Sequence, residues 1–174
     1  MGIFTSERFN TLNDLFLHEL KDLYDAEHQL TEALPQMADA ASSSDLRTAF
    51  NSHLLETREH INRLKQVFQR IGQEPERQTC PAMKGLVKEG SEAISATGDA
   101  KVKDAALIAS AQRVEHYEMA GYGTLRTFAR QLGLNDIASL LQKTLDEEGA
   151  ADKKLTRLAE GHINVEASSG VGKA

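Results

Sequence analysis

The chain has 174 residues, with 20 Lys and Arg against 26 Asp and Glu, so its formal charge is −6. This length makes a single domain the first expectation. No stretch approaches the roughly 18 uncharged apolar residues of a membrane-spanning helix. No block of Lys and Arg offers the cationic surface that nucleic acid or an anionic membrane requires. We therefore expect a soluble protein that binds neither nucleic acid nor membranes.

The composition favours helices. Aromatic residues make up only 5% of the chain, Trp is absent and Pro occurs three times, whereas Ala, Leu, Glu and Lys are plentiful. This pattern predicts an all-α fold. The single Cys80 cannot form an internal disulfide, and the first ten residues, MGIFTSERFN, lack the basic and apolar parts of a secretory signal. Both observations favour the cytoplasm.

Four segments rich in Gly, Ser, Asp and Pro divide the chain into five predicted helices. These span 6–41, 45–71, 82–96, 101–132 and 135–160. Ser44 or Asp45 is the candidate N-cap of the second helix, Asp99 of the fourth and Asn135 of the fifth, because each offers an oxygen to unpaired N–H groups. Pro35 predicts a kink or a break in the first helix.

Four of the predicted helices are long, and the short third one lies in the connection between the second and third long helices. Two hairpins joined by a longer connection are typical of a four-helix bundle with a crossover. The motif DAEHQL at 25–30 resembles RVEHYE at 113–118, which indicates that the two halves are copies. We expect the bundle to occupy 1–162 and a flexible C-terminal tail to occupy 163–174.

Several acidic residues occupy positions that a helical wheel assigns to the core. Glu148 and Asp152 interrupt the apolar stripe of the fifth predicted helix. Glu118 lies on the stripe of the fourth and Glu115 on its edge, and Glu27 lies near the inward face of the first. Because unpaired buried carboxylates would cost several kcal/mol each, the pattern predicts a compensating divalent cation.

The second predicted helix adds imidazole to these acids. His53, Glu56 and His60 lie along one flank of its apolar stripe. His53, next to Glu56, is the candidate ligand, and we interpret His60 as a surface residue. Carboxylates with some imidazole suit iron, manganese or zinc, and four or more carboxylates can hold two ions by bridging.

A second interpretation stays open. For any one acid taken alone, an exposed face or a salt bridge is the commoner role, although agreement among four helices favours the metal. The acid-x-x-His pair of di-metal bundles is replaced here by His53-x-x-Glu56 and by Glu148-x-x-x-Asp152. This departure leaves a non-redox role open.

Four stretches resemble the YciE/YciF family of bacterial stress-associated, ferritin-like proteins, and the likeness covers about residues 8–160. The stretches are DLYDAEHQLTEALP, HLLETREHINRL, DAALIASAQRVEHYEMAGYGTLRTFA and TLDEEGAADKKL. The resemblance implies a ferritin-like four-helix fold, a homodimer and a di-metal centre. Residue by residue, it carries over the ligands Glu27, His53, Glu56, Glu115, Glu118, Glu148 and Asp152. Glu147 matches as well, but its helical phase points outward.

A more distant resemblance to rubrerythrin and manganese catalase implies that Glu115 and Glu118 act as a bridging and a terminal ligand. The chain has no rubredoxin-like Cys cluster, so a peroxidase of the rubrerythrin kind would need an external reductant. Acids on all four long helices predict a site within one subunit rather than between the subunits of a storage cage.

The sequence thus leads to two hypotheses of function. The first is a cytoplasmic, ferritin-like stress-response protein that holds one or two Fe or Mn ions, with Zn as a further candidate. If it is an enzyme, it is an oxidoreductase that oxidises Fe(II) or consumes peroxide or oxygen. The second is a non-enzymatic dimeric stress or interaction bundle in which the acid cluster is vestigial.

Overall fold

The computed structural model describes residues 8–169, and all regular secondary structure within that range is helical. The elements are α1 (Leu12–Ala40), α2 (Ser44–Arg70), α3 (Pro81–Ser95), α4 (Ala100–Gln131), α5 (Asn135–Leu158), a π-helical turn (Ala159–Ile163) and α6 (Asn164–Ser169). The predicted all-α fold is confirmed. None of the helices in this part of the chain is both long enough and apolar enough to cross a membrane.

The four long helices, α1, α2, α4 and α5, form an antiparallel bundle. Ser42, in the turn after α1, donates its backbone N–H to Asp104 near the start of α4 over 2.8 Å, so α4 begins where α1 ends. Arg70 at the end of α2 donates to Asp136 at the start of α5 over 3.0 Å. The α2–α4 connection must therefore cross the length of the bundle, and α3 lies within it, packed on α1 and α4. This is the predicted ferritin-like topology with a crossover.

Side-chain caps set the helix starts. Thr11 and Asp14 form a capping box, so α1 begins at residue 12 rather than 6, and residues 6 and 7 lie outside the described range. Ser43 caps α2, one position before the first predicted candidate. Asp99 caps α4 through the N–H groups of the first turn, as predicted.

Three other expectations differ from the structure. α1 continues through Pro35 without a break, because its apolar face is buried on both sides of the proline and packing holds the helix together. Asn135 is the first residue of α5 rather than its cap. The chain does not become a flexible tail at 163: Ile163 is buried in the π-helical turn and α6 follows it. Residues 170–174 lie outside the described range.

The core consists of two apolar clusters with a polar layer between them. The cluster nearer the start of α1 includes Phe16, Leu64, Phe68, Tyr122 and Leu141. The cluster nearer its end includes Leu30, Phe50, Met83, Leu107 and Leu155. On α4 and α5 the buried acids at mid-length fall between the residues of these two clusters, and on α1 and α2 the buried acid and imidazoles lie where one cluster gives way to the other. The candidate site therefore lies at the middle of the bundle.

Candidate metal centre

Four carboxylates and two imidazoles fill the layer between the apolar clusters, and every long helix contributes to them. None of the six residues exposes more than 6% of its surface. They are Glu27 on α1, His53 and His60 on α2, Glu115 and Glu118 on α4, and Glu148 on α5. We call this set the ligand layer.

The ligand layer divides into two overlapping groups. Within each group, one ligand atom per residue lies within 4.8 Å of all the others. The groups are His53 with Glu115, Glu118 and Glu148, and Glu27 with His60 and Glu148. Because Glu148 belongs to both groups, its two oxygens are placed as a carboxylate that bridges two ions would be.

The two imidazoles point one nitrogen each towards these carboxylates. His60 Nδ1 lies 2.9 Å from Glu148 Oε1 and 3.2 Å from Glu27 Oε1. His53 Nε2 lies 3.4 Å from Glu115 Oε1 and 3.7 Å from Glu148 Oε2. Each inward nitrogen is thus surrounded by carboxylate oxygens.

Most of the inward-facing polar atoms have no hydrogen-bond partner among the described residues. They are both oxygens of Glu118 and Glu148, one oxygen of Glu27 and of Glu115, Nε2 of His53 and Nδ1 of His60. A buried acceptor without a partner costs about 1–3 kcal/mol. Cations bound between these side chains would give such atoms partners, so the donor set fits a metal centre.

A carboxylate outside the ligand layer holds the outer nitrogen of each imidazole. Glu56 Oε2 lies 3.3 Å from His53 Nδ1, and Glu147 Oε2 lies 2.9 Å from His60 Nε2. Glu147 also accepts a hydrogen bond from Arg63 Nη2 over 2.9 Å. With the proton on the outer nitrogen, the inner nitrogen is free to bind a metal, which is the usual outer support of a histidine ligand.

A buried phenol orients the ligand on α1. Tyr122 is fully buried, and its hydroxyl donates to Oε1 of Glu27. The other oxygen of Glu27, Oε2, has no partner within the described chain. Tyr122 therefore fixes the carboxylate and leaves one of its oxygens available inside the layer.

Burial dominates the protonation of the acids. Burial raises the pKa of Glu118 well above its usual range, and repulsion from Glu148 and Glu27 adds to this. The pKa of Glu115 is raised in the same way, mainly by burial and against the attraction of His53. Burial also raises the pKa of Glu27, although His60 opposes it. Without a cation, these carboxylates take up protons more readily than exposed ones.

The imidazole pKa values move upward because carboxylates outweigh burial. Burial by itself lowers the pKa of His53, but Glu115 and Glu56 raise it to about 9. Burial opposes protonation of His60 too, yet Glu148 and Glu27 raise its pKa to about 11. Even with both imidazoles protonated, four ionised carboxylates leave a net charge of −2 in the ligand layer. Divalent cations would neutralise that excess.

The structure brings together five of the seven predicted ligands, Glu27, His53, Glu115, Glu118 and Glu148. The other two lie outside the layer. Glu56 is 48% exposed and contacts only the outer side of His53. Asp152 accepts from Gln112 over 2.9 Å and lies 3.4 Å from His116, on the outer side of α4 and α5.

The prediction that His60 is a surface residue is wrong. Its side chain is fully buried in the ligand layer. The sequence feature that indicates its burial is its spacing from His53. Seven residues are almost two helical turns, so the directions of the two imidazoles around α2 differ by only about 20°. Glu147, predicted to point outward, is 36% exposed because it reaches across to His60 and Arg63.

The chain matches known proteins along nearly its whole length. Residues 11–168 match the family described as a domain of unknown function, DUF892. The chain is 49% identical over 160 residues to Protein YciF of Escherichia coli K12, and the alignment covers 91% of this chain and 96% of YciF.

Solved structures agree with the sequence comparison. The crystal structure of the E. coli stress protein YciF matches with a TM-score of 0.86 at 49% identity, covering 90% of this chain and 99% of that one. YcfI from Rhodopseudomonas palustris matches with a TM-score of 0.84 at 48% identity, covering 88% and 98%. A Xanthomonas campestris protein shares the fold at 16% identity, with a TM-score of 0.73 and coverage of 92% and 99%. The resemblance seen in the sequence is confirmed, and the chain belongs to the DUF892 family.

Proposed function

We propose that the chain binds two divalent ions, Fe or Mn, in its ligand layer. The observation that carries the proposal is the shared position of Glu148: its two fully buried oxygens face two ligand groups, with Oε1 2.9 Å from His60 Nδ1 and Oε2 3.7 Å from His53 Nε2. Four buried carboxylates against two imidazoles are more than ion pairing alone requires. Zn fits the same donors but would supply no redox chemistry.

Iron or manganese would supply the electrons with which dioxygen or peroxide is reduced. The chain itself orients the donors. Glu56 and Glu147 hold the imidazoles, Tyr122 holds Glu27, and the apolar clusters close the layer from both ends of the bundle. These contacts preorganise the site for ion binding.

The relatives support a role in stress. The E. coli relative is called a stress protein. For this chain we propose the same kind of role, in which Fe(II) is oxidised or peroxide or oxygen is consumed. As an enzyme it would be an oxidoreductase.

Metal analysis tests the proposal. Protein purified without chelators should contain Fe or Mn, and anaerobic titration of the apo protein should saturate at two ions per chain with a rise in Tm. Glu148→Gln should lose at least one ion, whereas Glu92→Gln, the same change at an exposed position of α3, should bind as the wild type does. No bound metal, with an unchanged Tm on adding Fe(II), Mn(II) or Zn(II), would contradict the proposal.

Catalysis needs its own assay. Anaerobically loaded Fe(II) protein should be oxidised on adding oxygen or peroxide faster than the same concentration of free Fe(II). A loaded protein whose iron is oxidised no faster than free iron would point to binding without turnover.

A second candidate is a non-enzymatic bundle in which the layer is a self-satisfied polar network. Two observations favour it: His60 already lies between Glu27 and Glu148, and the R. palustris relative carries a provisional description as a structural protein. Combined Glu115→Gln and Glu148→Gln changes would then relieve repulsion, raise the stability of the apo protein and leave stress tolerance intact. A functional metal site would instead lose its ions and the stability they provide.

A further inference from the structure

One pocket connects the ligand layer with the protein surface between α2 and α5. It has a cavity volume of about 230 Å³. Residues of the layer form its floor, and half-exposed acids and small side chains form its walls. These residues are His53 and Glu115, Glu56 and Glu147, and Ala150 and Ala151.

The burial of the ligands makes this side the approach to the centre. Glu27, Glu118 and Glu148 expose none of their surface, whereas His53 and Glu115 keep a small exposed fraction and both line the pocket. The apolar pocket between α1, α3 and α4 contains no residue of the ligand layer. An ion arriving from water therefore meets His53 and Glu115 before the deeper ligands.

The polar atoms along the pocket form a continuous series from water to the layer. Glu56 is half-exposed and contacts Nδ1 of His53 at 3.3 Å. Nε2 of His53 lies 3.4 Å from Glu115 Oε1. This nitrogen and Oε2 of Glu115 have no hydrogen-bond partner within the described chain, although both side chains are more than nine-tenths buried. The floor of the pocket therefore presents two atoms that can coordinate a metal ion entering from water.

We propose that this pocket is the route by which divalent ions enter and leave the centre, with Glu56 as the first carboxylate that takes the ion from water. This inference rests on the proposed metal binding and identifies the path by which the ions reach the centre. Ala150 and Ala151 keep the route open, because larger side chains at these wall positions would project into it. Glu56 is half-exposed, lines the pocket and contacts His53, so it lies between water and the ligand layer.

A narrowed route has a characteristic kinetic signature. A side chain that blocks the path raises the barrier between free and bound ion and leaves both end states unchanged. Entry and release must then slow by the same factor, and the affinity must stay the same. A change that damages the ligands would alter the affinity instead.

Stopped-flow kinetics with Co(II) as the probe test the route without any turnover. Binding to apo protein is followed by visible absorption, and release by adding excess chelator to the loaded protein. We expect Ala151→Leu and Ala150→Leu each to slow both rates by about tenfold, which corresponds to about 1.4 kcal/mol, with unchanged Kd and stoichiometry. Ala120→Leu, the same change at an exposed position on α4, should leave both rates as in the wild type.

A charge change gives a test that does not fill the pocket. Lys154 also lines it, on the α5 side. Removing this positive charge with Lys154→Gln should speed Co(II) entry at low ionic strength because it removes a repulsion along the route, and the effect should disappear at high salt because exposed charges are screened.

These measurements test the entry route separately from the metal site. Wild-type rates in both leucine variants, or in Lys154→Gln at low salt, would overturn the route. A leucine variant that changes only one of the two rates would also overturn it, since that is an effect on affinity. A wild-type protein that binds no Co(II) would contradict the metal site itself and is recognisable before any variant is measured.

Discussion

Each buried imidazole of the ligand layer depends on a partly exposed carboxylate for its orientation. Glu56 accepts from the outer nitrogen of His53, and Glu147 accepts from that of His60. The pKa of Glu147 is lowered, because hydrogen bonds from Arg63 and His60 outweigh the effect of its burial. Both carboxylates therefore stay charged near neutral pH and direct the proton of the imidazole away from the metal side.

Glu56→Gln should weaken metal binding without removing a ligand. The neutral amide holds the outer proton of His53 less firmly, so the inner nitrogen becomes a poorer donor. Loss of such an outer partner typically costs about 10–100-fold in metal affinity. Competitive titration of Co(II) against a chelator measures this, and Glu92→Gln, at an exposed position on α3, is the matched control. Equal affinities of the two variants would show that Glu56 does not support His53.

At the scale of helices, α1 and α4 approach each other closely at Gly121. A Cβ atom at this position would lie 2.8 Å from Cδ2 and 3.1 Å from Cγ of Leu23. Leu23 is almost fully buried and cannot swing into solvent. At Gly123, two residues later on α4, a Cβ atom would meet nothing within 4 Å. The close approach lies beside Tyr122, whose hydroxyl reaches across to Glu27 on α1.

The two glycines predict opposite effects of the same substitution. Gly123→Ala should raise the free energy of unfolding by about 1 kcal/mol, the difference in helix propensity. Gly121→Ala should lower it, because overpacking a core costs about 1–3 kcal/mol and exceeds that gain. Urea unfolding of both variants measures the difference. An equal increase in both would mean that α1 and α4 are not held at this distance.

A buried carboxylate fastens the crossover to the bundle. Oδ2 of Asp25 accepts the backbone N–H of Cys80 over 2.8 Å, and Oδ1 accepts from Arg77 Nε over 2.9 Å. Cys80 in turn caps α3 with its sulfur. The start of α3 is thereby tied to α1, two residues from Glu27. The segment that joins α2 to α3 is therefore held against the bundle at its α3 end.

For the whole molecule, the ligand layer links stability to pH. The folded chain holds protons on His53 and His60 up to pKa values of about 9 and about 11, whereas the unfolded chain releases them near the ordinary imidazole pKa of about 6.5. Above that pH the folded state binds more protons than the unfolded state, so the free energy of unfolding falls as pH rises. The raised pKa values of Glu27, Glu115 and Glu118 act in the same direction.

The apo protein should therefore lose stability between pH 6.5 and 9. Each proton fully released contributes about 1.4 kcal/mol per pH unit, and Tm measured in the presence of a chelator reports the trend. Metal binding needs deprotonated imidazole, so the rise in Tm on adding Co(II) should grow over the same range. A Tm of the apo protein that stays level from pH 6.5 to 9 would show that the imidazoles are neutral.

The sequence by itself determined the helical fold, the crossover and most of the ligand layer. Helical periodicity is a local property, so the wheel placed Glu27, Glu115, Glu118 and Glu148 on inward faces without knowledge of the neighbours. It could not fix how far each helix is rotated about its axis, because that rotation is set by packing against other helices.

Only the tertiary structure decided the residues at the edges of the apolar stripes. Asp152 lies about 40° round α5 from Glu148 and one turn further along. There it meets Gln112 and His116 of α4 instead of the ligand layer. His60 was assigned to the surface, yet α2 turns it inward between Glu27 and Glu148. A residue near the boundary of a stripe is buried or exposed according to what the adjacent helix presents, and that helix lies far away in the chain: Asp152 meets a residue 40 positions away and His60 one 87 positions away.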